Sequence, residues 1–426
     1  MATNKEYFYG WTLVGVMFML YLINGTFPYY GASVINTHMA HSLDLSKSVL
    51  GLGFSVFTIS LALSAPLVGF CITRRGIRFT FTMGGLIILV GAVLMATVVT
   101  SGWLFILVFG IVVGLGVSMG SAIPAQTGVT NWFRRRRAMA MAIVLSSTGI
   151  GAIVCTPLMN RVIVSFDHDW RAGWLLVIAM TVVSSFLAAI AVKNRPEDLG
   201  QVPDGIPGGS NPAVRTKAHH VYQSAGSWSL KASLGTRAIW LIVFAAIAFL
   251  CPFVTCVAHS LVHLQSLGCP DTLVVLSLGL MAFFSIIGRL LAGGLGDRVE
   301  PRRIWSVALF STAMGMIFLI HFDDWGNAAV YLYAFCMGAG MGGAYVSLAT
   351  IVGNYFGPRY FASIMGTIFP IIFLVAGVAP YAAGFNYDLQ GNYTAAFYVL
   401  MVLSITGAVA ILFAAPPSTG RDEVPV

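Results

Sequence analysis

The stretch Thr272–Gly296, TLVVLSLGLMAFFSIIGRLLAGGLG, is long and apolar enough to cross a bilayer, yet it carries Arg289. On a helix that arginine lies about 12 Å from the end marked by Asp297. A guanidinium at such depth costs several kcal/mol at least, and it ordinarily faces a protein interior or a water-filled cavity. The 15 acidic residues all fall at the ends of apolar segments or in the connections between them. The spans therefore carry a fixed cation and no fixed anion. An anionic substrate would supply the charge that they lack.

Composition agrees with a chain built almost wholly of such segments. Only 9% of residues are charged, 58% are hydrophobic, and the mean hydropathy is +0.86. These values describe an all-α integral membrane protein rather than a soluble domain with one anchor. Apolar runs separated by Gly, Pro and charged breaks predict twelve spans: 9–35, 48–72, 79–100, 103–130, 138–165, 171–192, 238–264, 272–296, 304–321, 327–353, 361–385 and 394–415. The first is too long for a cleaved signal peptide.

With the N-terminus inside, 19 of the 23 basic residues face the cytoplasm, including Lys5, Arg74, Arg134–Arg137, Arg215, Lys217 and Arg421. Lys47, Arg161 and Arg171 fall outside. Both termini are then cytoplasmic, and the +8 net charge is a topology signal rather than a nucleic-acid footprint. The six cysteines show no paired spacing in external loops, so neither a disulfide framework nor a metal site is expected. No cofactor is implied.

The longest connection, opening with KNRPEDLGQVPDGIPGGSNPAVRTKAHH (193–220), divides six spans from six. The expected organisation is an N-terminal bundle (1–192), a cytoplasmic linker (193–237) and a C-terminal bundle (238–426). The halves repeat one another. Gly69 to Arg74 after span 2 matches Gly293 to Arg298 after span 8, at an offset of 224. Asn131-Trp-Phe133 with Arg136 matches Asn354-Tyr-Phe356 with Arg359, at an offset of 223. Duplicated six-helix halves place a binding site between them, near the membrane midplane.

Against these motifs a family likeness becomes legible. GGLGDRVEPRR (293–303) resembles the signature loop of the major facilitator superfamily; its N-half counterpart GFCITRRGIR (69–78) carries Thr73 where the acidic residue would stand. Within that superfamily, NWFRRRRAMAMAIVLSSTGIGA (131–152), NRPEDLGQVPDG (194–205), AHSLVHLQSLG (258–268) and SIIGRLLAGGLGDR (285–298) resemble the monocarboxylate and oxalate–formate porters. The resemblance covers nearly the whole chain. It implies a secondary transporter of the plasma membrane, bacterial in type, with a small organic anion as substrate and a proton as candidate co-substrate.

Arg289 matches the family's substrate arginine, and a guanidinium fork suits a carboxylate. Its counterpart in the N-half is Ala65, so this charge is not part of the shared scaffold. The competing reading is a structural arginine bonded to carbonyls of a broken neighbouring helix. Ser285 stands one turn before Arg289, where proton-coupled relatives often place an acid. Span 11 lacks the lysine that marks the dicarboxylate exchangers, which favours one carboxylate over two.

His259 and His263 share one face of span 7. His259 falls where similar bacterial porters place a substrate-facing histidine, and imidazole can carry a proton near neutral pH. The alternative is a histidine satisfied by backbone. Tyr345, Phe369, Leu145 and Tyr29 are candidate lining residues, with packing as the competing reading for each. Asp297, Arg298 and Arg74 are expected to form a conformational switch at cytoplasmic helix ends. Arg134–Arg137 read as topology signals.

The expected function is alternating-access transport of a lactate- or pyruvate-like monocarboxylate, coupled to protons, by a monomer. An oxalate–formate type exchanger is the nearest alternative, followed by another substrate class or a transporter-like sensor. No catalytic constellation accompanies these features, so an enzyme is not expected.

Overall fold

The computed structural model describes residues 7–205, 221–224, 226–417 and 423–424. Lys5, Arg215, Lys217 and Arg421, counted above as topology signals, lie outside the described residues. Among the described residues, eleven helices are long and apolar enough to cross a membrane. One of them, Lys47–Thr97, has 51 residues. At 1.5 Å per residue that is about 76 Å, more than twice the hydrocarbon thickness.

Gly76 divides it, with φ 82° and ψ 173°, into α2 (47–75) and α3 (77–97). Both limbs lie on the same turns of the next helix. A Cβ at Gly114 would stand 3.1 Å from the Phe57 carbonyl, and one at Gly116 would stand 2.7 Å from the Ile88 amide. Ser118 Oγ donates to the Leu61 carbonyl at 3.1 Å. Residues 57–61 and 88 flank Gly76 on either side, so α3 runs back alongside α2.

The other spans are α1 (Gly10–Ser42), α4 (Gly102–Trp132), α5 (Arg137–Ser165), α6 (Trp170–Ala191), α7 (Arg237–Ser266), α8 (Asp271–Gly296), α9 (Pro301–Ile320), α10 (Asn327–Phe356), α11 (Phe361–Gln390) and α12 (Thr394–Leu412). Helix α1 continues seven residues past the expected end of its apolar run at 35. It also opens into a π-helical turn at Leu22–Thr26. There the buried Asn24 donates to the Gly120 carbonyl at 3.1 Å and accepts from Ser184 Oγ at 2.6 Å. A π-turn redirects side chains, and here it leaves the one amide of that turn bonded to α4 and α6.

The chain clusters into two compact units. One comprises residues 1–135, 144–214 and 361–367; the other comprises 136–143, 215–360 and 368–426. Helices α5 and α11 thus each contribute to both. The first unit is cored by aromatic rings: Phe109 stacks on Phe57 at 5.0 Å and Phe105 at 5.3 Å, with Trp174 edge-on at 6.2 Å. The second is held by close helix approaches. Ser404 Oγ donates to the Ala248 carbonyl at 3.2 Å, where Gly407 lets α12 press against α7. Large apolar side chains such as Phe186, Val275 and Val399 lie outward, as lipid contact requires.

Gly76 accounts for the reversal between α2 and α3. A Cβ there would sit 2.5 Å from Asn194 Oδ1, the atom that accepts from the Arg78 amide at 3.0 Å. Gly76→Ala therefore meets both positive-φ strain and a clash. It is expected to cost about 1–3 kcal/mol, seen as a melting temperature lowered by several degrees in detergent. An unchanged melting temperature would show that the turn relaxes.

Candidate substrate and switch residues

Helices α8 and α10 meet through glycines. A Cβ at Gly288 would stand 2.3 Å from the Ala339 carbonyl, and one at Gly342 would stand 2.1 Å from the Ser285 carbonyl and 2.7 Å from the Arg289 amide. This seam fixes the surroundings of Arg289. Tyr345 follows Gly342 by one turn, and its ring centroid lies 5.9 Å from the Arg289 guanidinium carbon. Arg289 is buried at 2% exposure in the interior of α8, and Ser285, on the same face one turn earlier, is equally buried. Ser285 Oγ donates to the Ala282 carbonyl at 2.7 Å. From Tyr345 a row of rings extends to α7, through Phe249 at 6.4 Å and Phe253 a further 6.5 Å on.

The second unit thus brings Arg289, Ser285 and Tyr345 together. His259 lies elsewhere in it: Nε2 donates to the Pro380 carbonyl of α11 at 2.9 Å, and the ring packs 4.9 Å from Tyr393. His263 reaches the Leu319 carbonyl at 3.2 Å. Both imidazoles therefore have backbone partners. Phe369 is buried on α11 beside Phe373 at 5.6 Å. In the first unit, Leu145 is fully buried, whereas Tyr29 is 40% exposed and packs 5.7 Å from Phe57.

Every described acid outside the short helices sits in a connection, in a cap, within three residues of a helix end or, for Glu423, in a two-residue strand. An anion in the helix interior would meet no carboxylate there.

The switch residues show how the repeats are used. Asp297, capping α8, accepts from the amides of Ala138 at 2.9 Å and Met139 at 3.3 Å, the first turn of α5. These are orphan helix donors facing a carboxylate, which the helix dipole favours. The equivalent of Asp297 is Thr73, and Ser363 stands one residue beyond Ala362, the equivalent of Met139. Thr73 Oγ1 and Ser363 Oγ lie 3.1 Å apart in the first unit. The same two helix ends meet in both copies, but one contact has a carboxylate and the other a pair of hydroxyls. Arg298 is exposed, and Arg74 stacks on Phe70 with its guanidinium 5.5 Å from the ring centroid. Asp297 thus bonds the first amides of α5.

The second repeated motif is equally paired. Trp132 Nε1 donates to the Lys193 carbonyl at 3.3 Å, just after α6, and Tyr355 Oη donates to the Ala414 carbonyl at 3.1 Å, just after α12.

Arg137 was missed by sequence reasoning, because it sits in a run of four arginines that topology explains. It is 3% exposed, and Nη1 donates to Asn354 Oδ1 at 2.8 Å. The carbonyl of Asn354 in turn accepts from the Ser224 amide at 2.8 Å. The usable signal was position: Arg137 is the first residue of α5 and Asn354 belongs to the repeated motif. Glu300 was likewise unflagged, yet it accepts from Tyr355 Oη at 2.9 Å and from the Tyr222 amide at 3.0 Å.

Comparison with known proteins bears on this geometry. The family model described as Major Facilitator Superfamily matches residues 13–380. The chain is 25% identical over 365 residues to monocarboxylate transporter 13 of Bos taurus, covering 83% of this chain and 78% of that protein. It is 23% identical to an uncharacterized MFS-type transporter, YcxA, of Bacillus subtilis strain 168, covering 83% of each. The crystal structure of the E. coli fucose:proton symporter superposes with a TM-score of 0.72 at 14% identity, covering 96% of this chain and 100% of that one. The proton:xylose symporter XylE gives 0.72 at 12% identity, covering 96% of each.

Two substitutions test the geometry. Gly342→Ala forces its methyl into the α8 backbone and is expected to destabilise the protein by about 1–3 kcal/mol, measured by thermal unfolding in detergent. Asp297→Ala removes the acceptor of two helix amides and is expected to cost about 1–2 kcal/mol in the same assay, with Asp297→Asn losing less. Equal melting temperatures for Asp297→Ala and the parent chain would show that the cap contributes nothing.

Proposed function

Since the chain belongs to the major facilitator superfamily, as a multi-pass transporter rather than an enzyme, we propose that its substrate is a small monocarboxylate of the lactate or pyruvate type. The observation that carries this reading is the buried guanidinium of Arg289, fixed in the interior of α8 beneath the Tyr345 ring. In a low-dielectric setting a guanidinium holds a carboxylate through two parallel, charge-assisted hydrogen bonds. The names of curated relatives, monocarboxylate transporters 12 to 14 among them, support the same substrate class.

In this reading Arg289 binds the carboxylate, and Ser285 and Tyr345 shape its surroundings. Phe369, in the same unit, supplies apolar wall to the substrate's carbon chain. His259 positions α11 through the Pro380 carbonyl and is the candidate proton carrier. A monoanion and one proton moving together carry no net charge, so proton symport needs no separate ion site. Alternating access then proceeds by the rocking of duplicated halves, with Asp297 released from the α5 amides during the cycle. Arg298 and Arg74 hold the two signature loops at the cytoplasmic surface. Both termini are cytoplasmic, and the organised chain reads as two six-helix bundles, 1–192 and 238–426, joined by the linker.

Uptake of labelled lactate, formate and oxalate into proteoliposomes, with and without an inward proton gradient, tests the proposal. Lactate uptake accelerated by the gradient is expected. Transport of an organic cation with none of these acids would overturn it. Arg289→Ala is expected to reduce lactate uptake about 100-fold or more with unchanged expression, and Arg289→Lys, which keeps the charge but loses the fork, to recover only part. Normal uptake by Arg289→Ala would remove that residue from the site. His259→Ala is expected to flatten the pH dependence, and an unaltered profile would clear it of proton transfer.

A further inference from the structure

An open polar cavity lies within the second unit, at the end of the bundle where α7 begins and α12 finishes. It has a volume of about 740 Å³ and is lined by Trp228, Lys231, Thr236, Arg237 and Pro417, with small residues between them. Among the described residues its lining holds two cations and no acid, with Glu423 paired across from Trp228 on a neighbouring strand. Arg237 opens the 30-residue helix α7, and the amides of Arg237 and Ala238 come before the first intrahelical bond. Thr236 Oγ1, capping that helix, accepts from the Ile239 amide at 3.4 Å, and Thr236, Arg237 and Ala238 all line the cavity. Trp228 is 5% exposed, and its indole Nε1 has no acceptor among the described residues. Two cations and a helix start meet on one concave surface, with the Trp228 ring in its wall. That is the donor set of an oxyanion site.

The depth of the cavity identifies the anion. One turn along α7, Trp240 is 50% exposed while its indole N–H donates to the Leu234 carbonyl at 2.9 Å. A half-exposed tryptophan with its polar edge satisfied toward the helix end is the arrangement found at the membrane–water boundary. Beyond it, α7 carries the apolar run that crosses the bilayer. Lys231 and Arg237 are exposed at that same level, where phospholipid phosphates lie.

We propose that this cavity is a phosphate-ester site occupied by the headgroup of an anionic phospholipid. Arg237 and Lys231 engage the phosphate oxygens, the α7 amides add neutral donors, and Trp228 and Pro417 bracket the glycerol end. The site is separate from Arg289 and does not depend on which acid the protein transports. Its occupant would tie the linker segment at 227–234 to the start of α7.

The full chain, purified from nanodiscs into mild detergent, provides the test by native mass spectrometry with phosphatidylglycerol and phosphatidylcholine. The parent chain is expected to retain phosphatidylglycerol preferentially. The double variant Lys231→Gln, Arg237→Gln is expected to lose that retention about ten-fold or more, with phosphatidylcholine unaffected. Because both side chains are exposed, the fold should survive, and an unchanged melting temperature confirms it. Arg303→Gln, an exposed cation of the same unit outside the cavity, is expected to retain the lipid as the parent does. Undiminished phosphatidylglycerol on the double variant, or an equal loss on Arg303→Gln, would overturn the proposal. Displacement of the lipid by millimolar glycerol 3-phosphate would assign the cavity to a soluble phosphate ester instead.

Discussion

Helices in hydrocarbon gain little by hiding apolar surface from one another, because the lipid is as apolar as they are. What holds them is close approach, and close approach is set by the smallest side chains. In the second unit this constraint governs the arrangement around Arg289. Gly288 and Gly342 bring the α8 and α10 backbones within reach of each other, Gly407 does the same for α12 and α7, and the polar groups are placed by those seams. The first unit has such seams too, where Gly114 and Gly116 admit α2 and α3, and adds a stack of phenylalanines closed by Trp174.

Electrostatics is economical under the same constraint. Carboxylates are kept to helix ends, where amides or hydroxyls can solvate them. Asp297 serves the first turn of α5, Glu300 serves Tyr355 and the Tyr222 amide, and Asp204 accepts from the amides of Arg134 and Arg135 at 3.1 and 2.9 Å. These bonds spend charge on unsatisfied backbone at the ends of helices. The buried cation of α8 differs in standing within a span rather than at its end. The duplicated loops differ in the same spirit: Thr73 and Ser363 provide by hydroxyls a contact that Asp297 provides by charge.

Much of this was readable from the residues, because the bilayer imposes a length and a hydropathy on every span. The Arg289 anomaly and the two matched loops followed from spacing and composition, while quoted motifs such as GGLGDRVEPRR carried the superfamily resemblance. Boundaries were less readable. Nothing in the composition around residue 35 says that α1 continues to Ser42, since a helix can outlast its apolar run once its end reaches water. The π-turn at Leu22–Thr26 depends on where Asn24 finds partners on α4 and α6, which is tertiary information. Arg137 was hidden for a related reason: four consecutive arginines look alike until one of them is buried against Asn354. His259 carried a signal for its type but none for the Pro380 carbonyl that it bonds.

The crowding between α8 and α10 has a bearing on how such a protein can diversify. With 2.1 Å between a hypothetical methyl on residue 342 and the Ser285 carbonyl, selection cannot enlarge residues on that seam without moving a helix. On the proposed reading, novel cargo preferences would instead be written in side chains off the seam, such as Tyr345 or Phe369, while the backbone beneath them stays constant. A designer seeking altered selectivity would build libraries at those aromatic positions and hold every seam glycine fixed.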